Sequence, residues 1–290
     1  MFKKIFEKRI WKRLYTERLG EPILYNLISI FILLFGNIVK KIKYDLVPRM
    51  PYSFGLDLSY KTAISLKNKL IVNKLIFIEF GVASGAGLFN MADTAKKLSV
   101  YYNIETEIIG FDSMDGMPKP VDYRGHPEKY LDGDFIPIDI EKLKSRLPIN
   151  VKLYTNDLKK SIKEFQKTLS EGDFIAFISF DLDYWSSTVE AFEIFKLPCN
   201  YFLPKTILYF DDIQDIDDHN HAGEFLAIKE YNHNNDLQKI NKINNLRYQR
   251  IFKNQVWIEQ MYWHIDFSNP FFSRDFHKDR KRVRLTNPYL

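Results

Sequence analysis

Short apolar runs alternate with amphipathic segments through the middle of the chain, from Leu75 onward. The apolar runs predict five β-strands, over residues 75–80, 107–111, 151–154, 174–180 and 206–210. The segment after the first run carries apolar residues at helical spacing, from Leu88 to Leu98. Strands that alternate with helices are typical of a parallel sheet with helices on both faces, so the pattern predicts an α/β fold.

The carboxyl-terminal part of the chain continues this pattern with a predicted helix over 224–231. Two further apolar stretches, residues 246–252 and 257–267, predict a closing β-hairpin. Residues 113–148 form a long connection rich in Pro, Asp and aromatic residues. Connections of this kind are typical of lids and binding loops.

Residues 22–39 are the most apolar segment of the chain, with Lys40, Lys41 and Lys43 directly after it. Polar residues and a glycine interrupt the segment, and no small-residue cleavage site follows it, so it fits neither a clean transmembrane helix nor a signal peptide. Three interpretations stay open. The segment is a helix packed on the domain or on a second subunit, an interfacial membrane helix flanked by lysines, or a true membrane span.

Composition limits the class of protein. A chain of 290 residues with 46% hydrophobic residues can bury a large core. Its single cysteine, Cys199, excludes an internal disulfide framework and a cysteine-based zinc site. We therefore expect a reducing compartment and a cytoplasmic protein, with membrane association left open.

The net charge of +5 is concentrated at the two ends of the chain. Residues 1–18 carry a net charge of +5 and residues 274–284 a net charge of +4, which leaves −4 for residues 19–273. An acidic body argues against nucleic-acid binding, while basic ends suit either an anionic surface or simple solubility. We predict an extension over residues 1–60, a sheet domain over 61–270 and a basic tail over 271–290.

A glycine turn follows the first predicted strand. Gly81, Gly85 and Gly87 give the spacing G-x-x-x-G-x-G, which differs from the G-x-G-x-x-G of dinucleotide sites. Such a turn lets a ligand approach the backbone, and tight strand-to-helix packing is the alternative explanation. Asp112, at the tip of the second strand, could accept both ribose hydroxyls of a nucleoside, and Asp157 follows the third strand.

Carboxylates also follow the fourth and fifth strands. Asp181, Asp211 and Asp212 are expected at one edge of a parallel sheet, where they would repel one another unless a hard cation such as Mg²⁺ lay between them. A solvated acidic edge is the alternative. His219 and His221 lie close behind the pair in sequence and are interpreted as surface loop residues, with roles as bases or ligands left open.

Four sequence blocks carry a family resemblance. They are IEFGVASG at 78–85, GFDSMDGMP at 110–118, FDLDYWSST at 180–188 and FDD at 210–212. In this order they resemble the class I S-adenosylmethionine-dependent methyltransferases, in particular the macrocin O-methyltransferase family. The resemblance covers about residues 75–215 and implies a Rossmann-like, mostly parallel seven-stranded sheet.

The resemblance also implies roles for individual residues. Glu79, Gly81, Ser84 and Gly85 would line the methionine end of the cofactor. Asp112 would bind its ribose, and Asp157 would lie near adenine. Asp181, Asp211 and Asp212 would bind Mg²⁺, with Asp181 also taking the substrate proton.

Two segments depart from the family pattern. The usual Pro-Gly-Gly before the fifth strand is replaced by LPKT at 203–206, and the polar loop after Asp212 is unusual. Both departures bear on the substrate and leave the cofactor motifs intact.

The resulting expectation is an O-methyltransferase that uses S-adenosylmethionine and Mg²⁺ and acts on a hydroxylated small molecule or sugar-like acceptor. A nicotinamide-dependent oxidoreductase is one alternative, since it shares the glycine turn and the acid after strand two. A non-catalytic, membrane-associated scaffold with the same fold is the other. Contact of residues 22–43 with a membrane surface and formation of a homo-oligomer are further expectations.

Overall fold

Seven strands form one sheet in the order β3-β2-β1-β4-β5-β7-β6, in a computed structural model that describes residues 14–214 and 219–287. The strands are β1 Lys74–Phe80, β2 Glu105–Phe111, β3 Val151–Tyr154, β4 Asp173–Phe180, β5 Phe202–Phe210, β6 Gln238–Lys242 and β7 Met261–Asp266. Strands β1 to β5 pair in parallel, and β7 is antiparallel to both β5 and β6. The predicted α/β class and the mostly parallel seven-stranded sheet are confirmed.

The helices follow the strands in the order expected for this fold. They are α1 Ile23–Phe35, α2 Ile38–Lys43, α3 Met50–Leu66, α4 Ala86–Tyr102, α5 Ile140–Arg146, α6 Leu158–Gln166, α7 Trp185–Ala191, α8 Gly223–Asn234 and α9 Leu246–Gln249. A π-helical segment, Leu14–Leu19, precedes α1, and short 3₁₀ turns fill several connections.

Both faces of the sheet are covered, which explains why the central strands are continuous apolar runs. Every residue of β4 is buried. Helices α3 and α4 pack on one face through residues such as Tyr60 and Met91. Helices α6, α7 and α8 cover the other face through residues such as Phe165, Ala191 and Ala227. The core therefore consists of two apolar layers with the sheet between them.

A row of aromatic rings crosses the sheet on the face covered by α6, α7 and α8. Each ring belongs to the last residue of a parallel strand: Tyr154, Phe111, Phe80, Phe180 and Phe210. Successive centroids are 5.3, 5.0, 5.3 and 4.8 Å apart, and the interplanar angles do not exceed 22°. All five strands therefore end at the same level.

The predicted hairpin is wrong in its first strand. Residues 246–252 begin with the short helix α9, and the strand that pairs with β7 is β6, which lies earlier in the chain. Only Ile240 is buried among the five residues of β6, so this edge strand has little of the apolar pattern that marks the central strands. The second strand of the hairpin, β7, lies within its predicted range.

Helices α1 and α2 lie within residues 1–60, the range of the predicted extension, of which residues 1–13 lie outside the described part of the chain. Helix α3 crosses residue 60, where the sheet domain is predicted to begin, and most of α3 is buried. The described helices include none that is long and apolar enough to cross a membrane.

His264 of β7 is a buried histidine whose titration opposes folding at low pH. Its ring is 2% exposed and stacks on Phe195 at 3.9 Å. Burial lowers its pKa from 6.5 to about 3, so the unfolded chain binds a proton that the folded chain excludes. This contribution to stability is complete above pH 6.5 and is lost as the pH falls toward 3.

We predict that His264→Gln reduces the acid sensitivity of the free energy of unfolding by up to about 1.4 kcal/mol per pH unit. Urea unfolding between pH 7 and pH 4.5 measures the slope. His233→Gln, which removes an exposed histidine, is the matched control and leaves the slope unchanged. Parallel curves for His264→Gln and the wild type would contradict the prediction.

Candidate functional site

A cavity of about 760 Å³ opens at the carboxyl ends of β1, β2, β4 and β5. Its wall contains most of the residues singled out in the sequence: Glu79, Gly81, Ser84, Asp112, Asp157, Asp181, Asp211 and Asp212. The loop after β2 closes another side through Met117, Pro118, Tyr130 and Phe135. The structure therefore places the glycine turn, the acids and the long predicted binding loop around one space.

The glycine turn brings the end of β1 against the end of β4. Gly81 has φ +82°, and a Cβ atom there would overlap the carbonyl oxygen of Asp181. Its N–H donates to the carbonyl of Phe111 at 3.1 Å. Only glycine combines this left-handed conformation with so close a backbone approach.

Glu79 lies at the floor of the cavity beneath the start of α4. A Cβ atom at Gly87 would overlap its Oε1, so the third glycine of the turn makes room for this carboxyl group. The Tyr52 hydroxyl donates to Oε1 at 2.7 Å, while Oε2 is buried and has no partner among the described residues. Burial raises the pKa of Glu79 to about 7, and the Tyr52 hydrogen bond opposes this shift.

Asp112 organises the turn from the neighbouring strand. Its Oδ2 accepts the N–H groups of Val82 and Ala83 at 2.7 and 2.8 Å, and its Oδ1 accepts the N–H of Met114 at 2.7 Å. Three of roughly four lone-pair positions are therefore used by the backbone. The predicted ribose contact stays a prediction, with Oδ1 as the oxygen that retains more capacity.

Three other predicted cofactor residues differ in their placement. Ser84 lies in the cavity wall. Gly85 lies outside the wall, at the N-cap of α4 with φ +80°, where a Cβ atom would collide with Leu143. Asp157 lies in the wall but also caps α6, accepting the N–H of Lys160 at 3.0 Å.

Asp181, Asp211 and Asp212 meet as the sequence predicts. Each can offer a carboxylate oxygen, and these oxygens lie within 4.8 Å of one another. Backbone hydrogen bonds to the neighbouring strands fix two of the acids. The Asp181 N–H donates to the Phe80 carbonyl, and the Asp211 N–H donates to the Phe180 carbonyl, both at 3.0 Å. Three hard oxygen donors at this spacing fit Mg²⁺.

The electrostatics of the three acids show that their charge is not balanced. Burial raises the pKa of Asp181 well above its usual range, and repulsion by Asp211 and Glu79 raises it further. Burial, followed by repulsion from Glu224 and Asp183, raises the pKa of Asp212 in the same way. A cation is the natural counter-charge for such a group.

Sequence reasoning missed several charged residues of the site, and three of them interact with the predicted acids. Glu224, at the start of α8, is completely buried; its Oε2 accepts the N–H of Asp212 at 3.2 Å, and its Oε1 has no partner among the described residues. Asp183 has φ +56° and lies in the cavity wall, with its N–H donating to Asp212 at 3.0 Å. Arg49, directly before α3, is in the wall and lowers the pKa of Glu79 and Asp181.

Of these three, only Asp183 had a signal in the sequence, the D-x-D pattern at 181–183. Glu224 follows a loop and lies on a different element, and Arg49 belongs to the predicted extension. Neither residue shares a motif with the acids it faces.

The loop after Asp212 is described only in part, because Asp215, Asp217 and Asp218 lie outside the described residues. His219 and His221 are exposed and are not in the cavity wall. Their interpretation as surface loop residues agrees with this placement. His126, from the long loop, is buried and lies 5.7 Å from the ring of His219.

Comparison with known proteins bears on the fold. No family model matches the sequence, and no curated protein matches it. Among solved structures, the calicheamicin methyltransferase CalS11 is similar with a TM-score of 0.52 and 17% sequence identity, over 90% of this chain and 91% of that chain. The chain has the class I methyltransferase fold.

Two complexes of the plantazolicin methyltransferase BpumL, with desmethylPZN analogs and SAH, match at TM-scores of 0.36 and 0.37. Each has 12% identity over 79% of this chain, and covers 89% and 88% of the other chain. These likenesses are too weak to add to the assignment of the fold.

We predict that Asp112→Ala lowers the free energy of unfolding by about 2 kcal/mol or more, because it leaves three backbone N–H groups without their acceptor. Chemical unfolding monitored by circular dichroism measures the loss. Asp115→Ala, three residues further on, removes an exposed acid with no such hydrogen bonds and is expected to change stability by less than about 0.5 kcal/mol. Equal stability of the two variants would exclude the organising role of Asp112.

Proposed function

We propose that the protein is an S-adenosylmethionine-dependent O-methyltransferase that uses Mg²⁺ and acts on a hydroxylated small molecule or sugar-like acceptor. The observation that carries this proposal is the meeting of Asp181, Asp211 and Asp212 within 4.8 Å, at the edge of a cavity that also holds the glycine turn. The class I methyltransferase fold supports it. A cavity of this size can take a nucleoside cofactor with a small acceptor.

The cavity wall offers two ends to such a cofactor. Glu79, Gly81 and Ser84 form one end, where the amino terminus of α4 and a buried carboxyl group suit a zwitterionic amino acid. Asp112 and Asp157 form the other end, where the nucleoside would lie. When bound, S-adenosylmethionine supplies a methyl group already activated by its sulfonium centre.

The three aspartates supply the donor set for the metal. Burial and repulsion from neighbouring acids raise the pKa values of Asp181 and Asp212, so a divalent cation would relieve an existing cost rather than compete with an ion pair. When bound, Mg²⁺ lowers the pKa of a hydroxyl group that coordinates it. A vicinal diol is the acceptor pattern that two neighbouring coordination positions would select.

The chain's own residues then hold the acceptor and take its proton. Asp181 is the candidate base, because it belongs to the group of three acids and its backbone lies directly against Gly81 of the cofactor end. Arg49 faces Glu79 and Asp181 and favours their charged forms. The loop residues Met117, Pro118 and Phe135 cover the cavity with apolar surface, which reduces water access to the reacting groups.

The nicotinamide-dependent alternative is weakened by two features. The glycine spacing differs from the dinucleotide motif, and the antiparallel β7 inserted between β5 and β6 departs from the parallel order of dinucleotide-binding sheets. The scaffold alternative predicts a cavity without catalytic activity. Turnover of any hydroxylated acceptor would exclude that alternative.

Calorimetry with S-adenosylhomocysteine and NAD separates the two enzymatic functions. We predict binding of S-adenosylhomocysteine at micromolar concentration and no measurable heat with NAD. Asp112→Asn, which keeps one carbonyl oxygen that can accept the Val82 and Ala83 N–H groups and loses the negative charge, is expected to weaken the binding by about 1–3 kcal/mol. Tighter binding of NAD than of S-adenosylhomocysteine would reverse the proposal.

We predict that Mg²⁺ raises the melting temperature of the protein and that Asp212→Asn abolishes this rise. Mg²⁺ at 100 times its dissociation constant would add about 2.7 kcal/mol of stability, because the ion binds only the folded state. Thermal unfolding after EDTA treatment, with and without MgCl₂, measures the difference. Asp236→Asn, which changes an exposed acid outside the cavity wall, is the control and retains the full rise. An equal rise in Asp212→Asn would contradict the metal site.

Asp181→Asn then tests the base. With saturating Mg²⁺ and a panel of vicinal-diol acceptors, including catechol and simple pyranosides, release of S-adenosylhomocysteine is expected to fall about 100-fold or more. Binding of S-adenosylhomocysteine is expected to persist in the same variant. Wild-type turnover by Asp181→Asn, or full turnover by EDTA-treated wild type, would show that the proton leaves by another route.

A further inference from the structure

Helix α1 is apolar on almost all of its sides, including those that face solvent, and in this it differs from a surface helix of a water-soluble protein. Its protein-facing side includes Asn26 and Ser29, and Ser29 is 7% exposed, with its hydroxyl donating to the Tyr25 carbonyl at 2.8 Å. Ile32 is the only fully buried apolar residue among the 13 of the helix. An ordinary surface helix buries its apolar side and exposes its polar side.

The outward side of α1 is apolar throughout. Eight large apolar residues are between 51% and 78% exposed: Ile23, Leu24, Leu27, Ile30, Phe31, Leu33, Leu34 and Phe35. At about 100° per residue they occupy more than half of the circumference. So wide an exposed apolar surface on one helix marks an interaction site.

Polar contacts, rather than this apolar surface, fix the helix to the domain. Asn26 donates to the carbonyl of Arg18 at 3.0 Å, and Arg18 donates to the carbonyl of Asp45 at 2.7 Å. Glu21, just before α1, accepts the N–H groups of Lys253 and Asn254. These contacts at the amino-terminal end of α1 therefore hold the helix with its apolar side toward solvent.

Basic residues follow the apolar helix directly. Helix α2 carries Lys40, Lys41 and Lys43 in its last turn, with Lys40 and Lys43 exposed. Within the described part of the chain, the three ammonium groups have no carboxylate partner. Lysines beside an apolar helix suit an anionic headgroup layer above hydrocarbon.

We propose that α1 lies in the interface of a lipid bilayer with anionic headgroups and that Lys40, Lys41 and Lys43 bind those headgroups. A bilayer can contact all outward sides of the helix at once, whereas a second copy of the chain would cover one side. At 13 residues α1 is about 20 Å long, a length suited to lying in the interface. The proposal is independent of the methyltransferase activity.

Vesicle sedimentation of the full chain tests the proposal. We expect the protein to pellet with vesicles of phosphatidylcholine and phosphatidylglycerol and to pellet much less with phosphatidylcholine alone. Phe31→Asp combined with Leu34→Asp is expected to lower the partition coefficient about 100-fold or more. Lys40→Glu combined with Lys43→Glu is expected to lower it about tenfold or more, and high salt to weaken binding of the wild type.

Matched variants control for surface changes of the same kind. Val100→Asp with Ile149→Asp places two acids at apolar residues that are 82% and 103% exposed, and Lys96→Glu with Lys163→Glu reverses two exposed lysines elsewhere. Both pairs are expected to bind vesicles as the wild type does. Circular dichroism shows that each variant is folded.

Two outcomes would overturn the proposal. In the first, the wild type stays in the supernatant with both kinds of vesicle. In the second, sedimentation velocity without vesicles shows a dimer that Phe31→Asp with Leu34→Asp converts to a monomer, while vesicles bind neither protein. The second outcome would assign the apolar surface of α1 to a second copy of the chain.

Discussion

The stacked aromatic row at the carboxyl ends of five parallel strands sets the geometry of the cavity. Phe80, Phe111, Phe180 and Phe210 are each followed by a residue of the cavity wall. Each ring pair contributes about 0.5–1.5 kcal/mol beyond the area that it buries. Slipping one strand by a single residue would turn its ring to the opposite face and remove it from the row. The row thus holds the glycine turn and the acids at one level.

Because the strands end at one level, the acids that follow them lie close together. Their mutual repulsion makes this proximity electrostatically unfavourable. Two oxygens of the acidic group, Glu79 Oε2 and Glu224 Oε1, are buried without a partner among the described residues, and the Tyr209 hydroxyl is committed to Asp211. Glu79, with a pKa of about 7, retains its proton in the folded protein at a pH where the unfolded chain has lost it. In the metal-free protein its contribution to stability therefore falls as the pH rises from about 4.5 to about 7. The proposed divalent cation would offset the charge of Asp181, Asp211 and Asp212, which would link the metal hypothesis to the stability of the fold as well as to the reaction.

The sequence predicted the central strands and the acids that follow them because both signals are local. A strand buried on both faces is a continuous apolar run, and the residue after it lies at the sheet edge. Edge strand β6 was not predicted, because its single buried residue, Ile240, gives no alternation of apolar and polar positions. Glu224 and Arg49 were not predicted as site residues, because no motif contains them and their contacts with the acids depend on how distant elements pack. The role of Asp112 in holding the turn was equally invisible, since it depends on backbone N–H groups some thirty residues earlier.

The outward helix and the cavity are connected through a short stretch of chain. Asp45, between α2 and α3, forms a buried ion pair with Arg250 at 2.7 Å, and Arg250 also donates to the Ile42 carbonyl at 2.8 Å. Removing one member of such a pair costs about 3–5 kcal/mol. Arg49, four residues after Asp45, already lies in the cavity wall. The pair and the Ile42 contact fix the end of α2 and the residues after it against the domain, so the chain enters α3 from a defined position with Arg49 beside the cavity. Arg18 and Glu21 hold the amino-terminal side of α1 through separate contacts.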